Sequence, residues 1–477
     1  MIKRVSMLLV IATLLTSFMF APDETSADDG PRPWTKPVEK ETSEAIKGGT
    51  HKKQEIKFGD GGVYWIHQLT AQQNQQPYVV KIPIRGDQAA FRYRAIAENK
   101  QPYWAIAPLR DLHTLPLASG FIETEGKSIW LGAPIVYAPM GNGTINEKRD
   151  MVLPITVRKS AAGGYVLEAS LQIRAGHVSE MWALESAEPL VVWGQEKLDS
   201  IWLNLDVTDN AKWLYDGYYY KSPSTYMPYT DTSYWRIPEN YVLHSFMYTG
   251  GSKAARDMGY VMLKASLKQQ DQLGYWKSLP RSEWLREDYG ITEGFYDTRF
   301  NTGAAGLMLQ GCAQYQEAEF CESTQRYALF FQQHAVGNHY VIEGVRPGWL
   351  VADYALVGKP ADTHVSLNHQ LAEINFLYKS YLQFGNPTDK DLADIMLGGV
   401  VNLGSKWIVQ NGDLHYAYYP NGSFGRVDYP YLTYNDLLET QQLYSQLHGM
   451  EDATLAKLIE SKLAWMKQNN VAYVSTQ

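Results

Sequence analysis

Cysteine is almost missing from this chain of 477 residues, which has only Cys312 and Cys321. Two cysteines build neither a disulfide framework nor a zinc site. Their nine-residue spacing leaves open a staple across two antiparallel helices or a pair of buried thiols. A basic stripe is missing as well. With 43 Lys and Arg against 51 Asp and Glu, a net charge of −8 and a pI near 5.8, nothing could neutralise a run of phosphates. Nucleic acid is therefore excluded as a general partner, and an anionic ligand would need local arginines. After the first 27 residues no apolar run approaches roughly 18 residues, so no membrane span is expected in the mature chain. The sequence also lacks GxSxG, HExxH, Walker A and GxGxxG motifs, which counts against serine hydrolases of that type, zincin proteases, P-loop NTPases and Rossmann enzymes.

Aromatic side chains are abundant, with 33 Tyr and 14 Trp contributing to an aromatic content of 13%. Residues that both stack and hydrogen-bond suit sugar faces and large cores alike. The length predicts two or three domains. Lys3 and Arg4 precede an apolar run from Met7 to Phe20 and small residues ending at Ala27. That order predicts a secretory signal peptide over 1–27 and a secreted or cell-envelope protein, with an uncleaved anchor as the alternative. Residues 28–54, rich in Pro, Lys, Glu, Thr and Gly, predict a flexible linker.

From 55 to 205 the hydrophobic period is two. Tyr78, Val80, Ile82 and Ile84 alternate with polar or outward residues, as do Tyr165, Leu167, Ala169, Leu171 and Ile173. Gly163-Gly164 and Gly141-Asn142-Gly143 mark turns, and the region predicts a β-sandwich-like domain. Residues 206–251 are dense in Tyr and Pro without a clean period and read as a connection. Beyond 252 the period becomes 3.6. Helices are expected at about 255–273, 302–315, 321–334, 434–448 and 451–468. Another carries Leu367, Leu371, Ile374, Leu377 and Tyr381 on one face, and Thr388 with Asp391 resembles a capping box opening the next. The fold class is thus α+β multidomain, an N-terminal β-sandwich-like domain followed by a C-terminal α/α barrel over 252–477.

The chemistry-bearing clusters lie in the helical half, above all Leu414–Leu443, which holds six tyrosines, Arg426, Asp428 and Asp436. His364 and His369, five apart near a helix start, are expected as cap or core residues rather than metal ligands. Four segments in order resemble the catalytic domain of the D-glucuronyl C5-epimerases, which invert uronic acid residues inside heparan-type polysaccharides. LKQQDQLGYW at 267–276 resembles the family's helix end running into Gly-Gly-Trp, and GFYDTRFNTGAAGLMLQ at 294–310 its Gly-Trp-Tyr loop. Asp353-Tyr354 falls where the family has Glu-Tyr, and Leu367-Asn368 followed by Tyr378 fits its Leu-Asn…Leu-Tyr helix. GRVDYPYLTYNDL at 425–437 fits Ala-Arg-Trp-Asp-Tyr-His-x-x-His-x-Asn-x-Leu, placing Arg426, Asp428, Tyr429, Asn435 and Leu437 without a gap. The similarity covers about 255–445. Pro430 and Thr433 stand where the family has its two histidines, Asp353 replaces its glutamate, and Ala355 its proline.

Inverting C5 removes a proton beside a carboxylate and returns one from the opposite face, so the site needs charge stabilisation and two acid/base groups. The resemblance implies Tyr429 on one face, Tyr416 or Tyr418 on the other, and Asp353 with Tyr354 at a third corner. It implies Arg426 as the fork on the uronate carboxylate, with Arg299 a second candidate or else a structural partner of Asp297. A nearby arginine is expected to lower a tyrosine pKa. Asn435 completes the motif, and Trp276, Tyr296 and Trp349, together with Trp284, could stack on sugar rings. The expected partner is an anionic polysaccharide or oligosaccharide. No cofactor is implied, a structural Ca²⁺ and a homodimer stay open, and scattered carboxylates form no calcium loop motif. A polysaccharide lyase and a non-catalytic polysaccharide-binding protein are the alternative readings.

Overall fold

The computed structural model describes residues 34–472 apart from 125, 250, 360 and 361. The expected signal peptide lies outside the described residues. The chain divides into a β unit, 34–237 with 242–266, and a helical unit, 238–241 with 267–472.

In the β unit the alternating segments do what their period demands. Gln75–Ile84, Tyr165–Ile173 and Thr156–Lys159 form a three-stranded sheet, and thirteen other strands join in a large one. Val80, Ile82, Ile84, Leu167, Ala169 and Leu171 of the small sheet share one buried core with Phe91, Ile122, Ile129, Leu131, Met181 and Ala183 of the large one. Each such side chain stabilises the unit by about 1.5–3 kcal/mol when fully buried. The turn before Tyr165 needs its glycines: Gly163 and Gly164 have φ of 88° and 71°, and a Cβ on Gly164 would stand 2.2 Å from the Ile84 carbonyl oxygen.

Two sequence expectations are corrected here. The described part of the expected linker is a hairpin, Val38–Ile46 paired with Gly49–Lys57 and continued onto Val63–Ala71. Its outer strand buries almost nothing, so composition gave no signal. Backbone pairing holds it, with Glu39 Oε1 3.2 Å from Lys264 Nζ. The expected connection at 206–251 contributes the strands Ala211–Leu214, Gly217–Lys221 and Ser233–Arg236 to the large sheet. These strands are too short to show a period. Helix α1 (Glu196–Asn204) and most of α2 (Tyr241–Thr249) and α3 (Lys253–Gln269) complete this unit. Phe246 of α2 meets Trp130 and Trp202 with ring centroids 5.8 and 5.3 Å apart.

The helical unit opens with the short α4 (Glu283–Tyr289). Three antiparallel pairs follow: α5 (Thr298–Tyr315) with α6 (Ala318–Gly337), α7 (Leu367–Phe384) with α8 (Pro387–Leu403), and α9 (Leu432–His448) with α10 (Ala453–Gln468). Helices α5, α7 and α9 touch in sequence and form an inner row backed by the other three. Cys312 and Cys321 are disulfide-bonded across the α5–α6 turn. Helix α8 is capped by Asn386, whose side chain accepts from the Thr388 N–H, with Pro387 in the first turn. The expected Thr388 cap therefore lies two residues too late, because Asn followed by Pro is the stronger start. Among the described residues no helix is long and apolar enough to cross a membrane.

Candidate functional site

Short two- and three-stranded pieces lead directly into the inner helices. Tyr296–Asp297 pairs with Tyr354–Ala355 and runs into α5; Val365–Ser366 pairs with His415–Tyr418 and runs into α7. His415–Tyr418 also pairs with Phe424–Val427, a few residues before α9. Three helix beginnings are thereby gathered around Asp353, a fully buried carboxyl between two of these strands.

Asp353 accepts the backbone N–H of Ser366 at 2.8 Å and the Ser366 hydroxyl. His364 Nε2 lies 3.3 Å and His369 Nδ1 3.7 Å from its Oδ2. Burial pushes the Asp353 carboxyl well above the usual carboxylate range. Burial, helped by the Arg426 charge, brings His364 down to about 3, and burial drops His369 as well. Burial thus favours the uncharged form of the acid and of both imidazoles. His364 Nδ1 is 2.7 Å from the Tyr289 hydroxyl, whereas its Nε2 has no aligned hydrogen bond. His369 Nδ1 meets the Thr298 hydroxyl at 2.9 Å, and one turn on, Glu373 has neither carboxyl oxygen hydrogen-bonded. Among the described residues no group of three or more His, Cys, Asp or Glu is disposed to hold a metal ion.

Tyrosines surround this centre. The rings of Tyr416 and Tyr429 meet edge to face at 5.7 Å, and Tyr416 lies 5.9 Å from the His364 ring. Tyr354, almost fully buried, packs against His364, His369 and Trp284 at 5.8, 5.6 and 5.5 Å. Burial raises Tyr416 well above 10 and Tyr429 to about 12, although Arg299 pulls Tyr429 the other way. The expected lowering by arginine is therefore outweighed: desolvation of a phenolate costs more here than the neighbouring cation returns. Lys462, fully buried on α10, bonds the Tyr429 carbonyl at 2.7 Å, with Asp413 Oδ1 at 2.5 Å and Asp428 Oδ2 at 2.7 Å. Asp428 also accepts from Thr433 at 2.6 Å, so this motif residue anchors the loop that presents Tyr429.

The two arginines differ. Arg299 is committed: it grips Asp436 with both terminal nitrogens, at 2.7 and 3.2 Å, and donates to the Asn368 carbonyl at 2.7 Å. Its expected partner Asp297 instead caps α5, accepting from Phe300 N–H at 3.0 Å. Asp297 and Glu239 are each pushed up to about 7 by burial. Arg426 is exposed, has a left-handed φ of 63°, and stacks its guanidinium 5.2 Å from the Trp284 ring centre. It stands 3.4 Å from Asp288 and is hydrogen-bonded to the Tyr419 side chain, and its exposure leaves it able to meet an incoming carboxylate.

Of the remaining expected residues, Tyr418 sits toward the hairpin turn against Phe424. Asn435, in the first turn of α9, keeps a buried Oδ1 without a hydrogen bond. Trp349 stacks on His339 with centroids 3.8 Å apart, away from the Asp353 centre. Two expectations fail outright. Trp276 and Tyr296 are buried core residues, Tyr296 wedged among Tyr275, Phe330 and His334 with its hydroxyl 2.9 Å from that of Tyr327. Neither can stack on a sugar. Conversely, His364, His369, Ser366 and Tyr289 were not singled out for the site. Their signal was position, since His364, Ser366 and His369 flank the Leu367-Asn368 pair.

No family model and no curated protein sequence matches the chain. Among solved structures, similarity is found to a cellobiose 2-epimerase from Spirochaeta thermophila, at 13% identity and a TM-score of 0.36, covering 48% of this chain and 57% of that one. A family 76 glycoside hydrolase from a bovine Bacteroides thetaiotaomicron strain is similar at 10% identity and a TM-score of 0.38, over 91% and 78%. An unsaturated glucuronyl hydrolase from Bacillus sp. GL1 is similar at 12% and 0.31, over 49% and 61%. The chain spans a little over half the length of the first of these.

Proposed function

We propose that the chain is an exported carbohydrate-active enzyme with a C-terminal α/α barrel, which inverts C5 of uronic acid residues in a polysaccharide. The observation that carries this reading is the Tyr416–Tyr429 pair, edge to face beside the Asp353 centre, with the exposed Arg426 nearby. Arg426 pairs the uronate carboxylate and so stabilises the electron pair left at C5. The C5–H bond breaks toward Tyr416, and the Tyr429 hydroxyl, a phenol held protonated by burial, gives a proton to the opposite face and regains one from water. The basic and apolar N-terminal run supports export.

The test is deuterium uptake from heavy water at C5 of polyuronates. We expect uptake with at least one, reduced about 10²- to 10⁴-fold in Tyr429→Phe. An unsaturated product would mark elimination instead. No uptake and no product across a panel of polyuronates overturns the reading.

A further inference from the structure

A base that is buried as a phenol must send a proton somewhere before or while it takes another. Around Tyr416 the structure offers one continuous route. Ser366 pairs with Ala417 in the ladder, and its hydroxyl is hydrogen-bonded to the Tyr416 side chain. The Ser366 hydroxyl donates to Asp353 Oδ2, which lies 3.3 Å from His364 Nε2, the imidazole nitrogen with no aligned bond. The far nitrogen, Nδ1, is 2.7 Å from the hydroxyl of Tyr289, a half-buried residue at the end of α4. Of these five groups, Ser366, Asp353 and His364 are fully buried. Each of the five can take a proton on one side and release one on the other.

We propose that Tyr416, Ser366, Asp353, His364 and Tyr289 form a proton wire joining the reacting tyrosine to solvent. The proposal rests on the proton-abstraction reading above and adds the path by which its proton leaves. In one pass the C5 proton arrives on the Tyr416 oxygen as the tyrosine's own proton moves to Ser366 Oγ. Ser366 passes its proton to Asp353 Oδ2, and Asp353 passes its own to His364 Nε2. The imidazolium so formed releases its Nδ1 proton to the Tyr289 oxygen, whose hydroxyl proton goes to water. Every intermediate group gains one proton and loses one, so charge moves without any group holding it for long. Tyr416 never has to persist as a phenolate in a site that penalises one. Asp353 and His364 act through Tyr416 and are positioning and relay residues.

The path is measurable without substrate. In protein labelled at tyrosine Cζ, hydroxyl exchange is read from the deuterium isotope shift in mixed light and heavy water, with the Tyr416 signal identified by its loss in Tyr416→Phe. We expect Tyr289→Phe and His364→Gln each to slow exchange at Tyr416 by about a hundredfold, with Tyr429 unchanged. Tyr289→Phe removes one oxygen from a half-buried ring, so the result does not depend on whether His364→Gln folds. Exchange at Tyr416 unchanged in Tyr289→Phe overturns the wire. If exchange slows but no polyuronate takes up deuterium, the wire stands and the C5 reading falls. If the parent labels C5 and Tyr289→Phe labels it equally fast, the wire falls and the C5 reading stands.

Discussion

Replacing Lys462 by Met tests the anchoring of Tyr429 directly. The ammonium is fully buried and serves Asp413, Asp428 and the Tyr429 carbonyl at once, while methionine keeps most of its stem volume. What is lost is charge, leaving two buried carboxylates without their cation. Breaking a buried pair on one side costs about 3–5 kcal/mol. Protonation should modulate that cost. Burial already raises Asp428 to about 6, with Lys462 holding it down from a higher value. The folded pKa thus exceeds the unfolded one, near 3.9, and stability from this group is present at low pH and lost as pH rises through about 4 to 6. Without Lys462 the folded value climbs further and the loss extends to higher pH. Urea unfolding at pH 7.5 should therefore show the full penalty, and at pH 5, where Asp428 takes up its proton, less than about half of it. A penalty under about 1 kcal/mol, or one identical at both pH values, would refute the buried-triad argument.

Two further outcomes follow. Asp297→Asn keeps an N-cap acceptor for Phe300 but removes a carboxyl that burial raises to about 7, so thermal unfolding should show the variant more stable by about 4 kcal/mol at pH 8 and by under about 1 kcal/mol at pH 4. The double variant Cys312→Ser with Cys321→Ser should lose about 2–3 kcal/mol, measured by denaturant midpoint, because the bridge closes only a nine-residue separation. Its near-ultraviolet circular dichroism should remain native, since the bridge stands about 20 Å along α5 from Thr298.

What the sequence made legible was whatever a period or a motif could carry. Val80, Ile82 and Ile84 announced their inward face, and the inner helices announced theirs through Leu371, Ile374 and Leu377. Tyr416, Arg426 and Tyr429 were found by resemblance, and they lie around one centre. The hairpin at 38–57 was invisible because backbone pairing, not apolar content, holds it. His364 and His369 were set aside because helical spacing was the wrong measure: His364 precedes a strand and His369 is in a helix, and the junction of strand and helix brings both to Asp353. Trp276 and Tyr296 looked like sugar platforms because composition cannot distinguish a rim from a core. The direction of the tyrosine shifts needed depth of burial, which no sequence motif states.

The inner row of helices has one more consequence. At one end, α5–α6, α7–α8 and α9–α10 are joined by turns such as Gln316-Glu317 and Gly385-Asn386. At the other, the chain makes its long excursions over 338–366 and 404–431, which carry Asp353, Tyr354, His364, Ser366, Tyr416, Arg426 and Tyr429. The short turns fix helix register, while the excursions decide what the helices hold. On the proposed reading, exchanging these two segments would change substrate preference while the packing of the six helices stayed as it is.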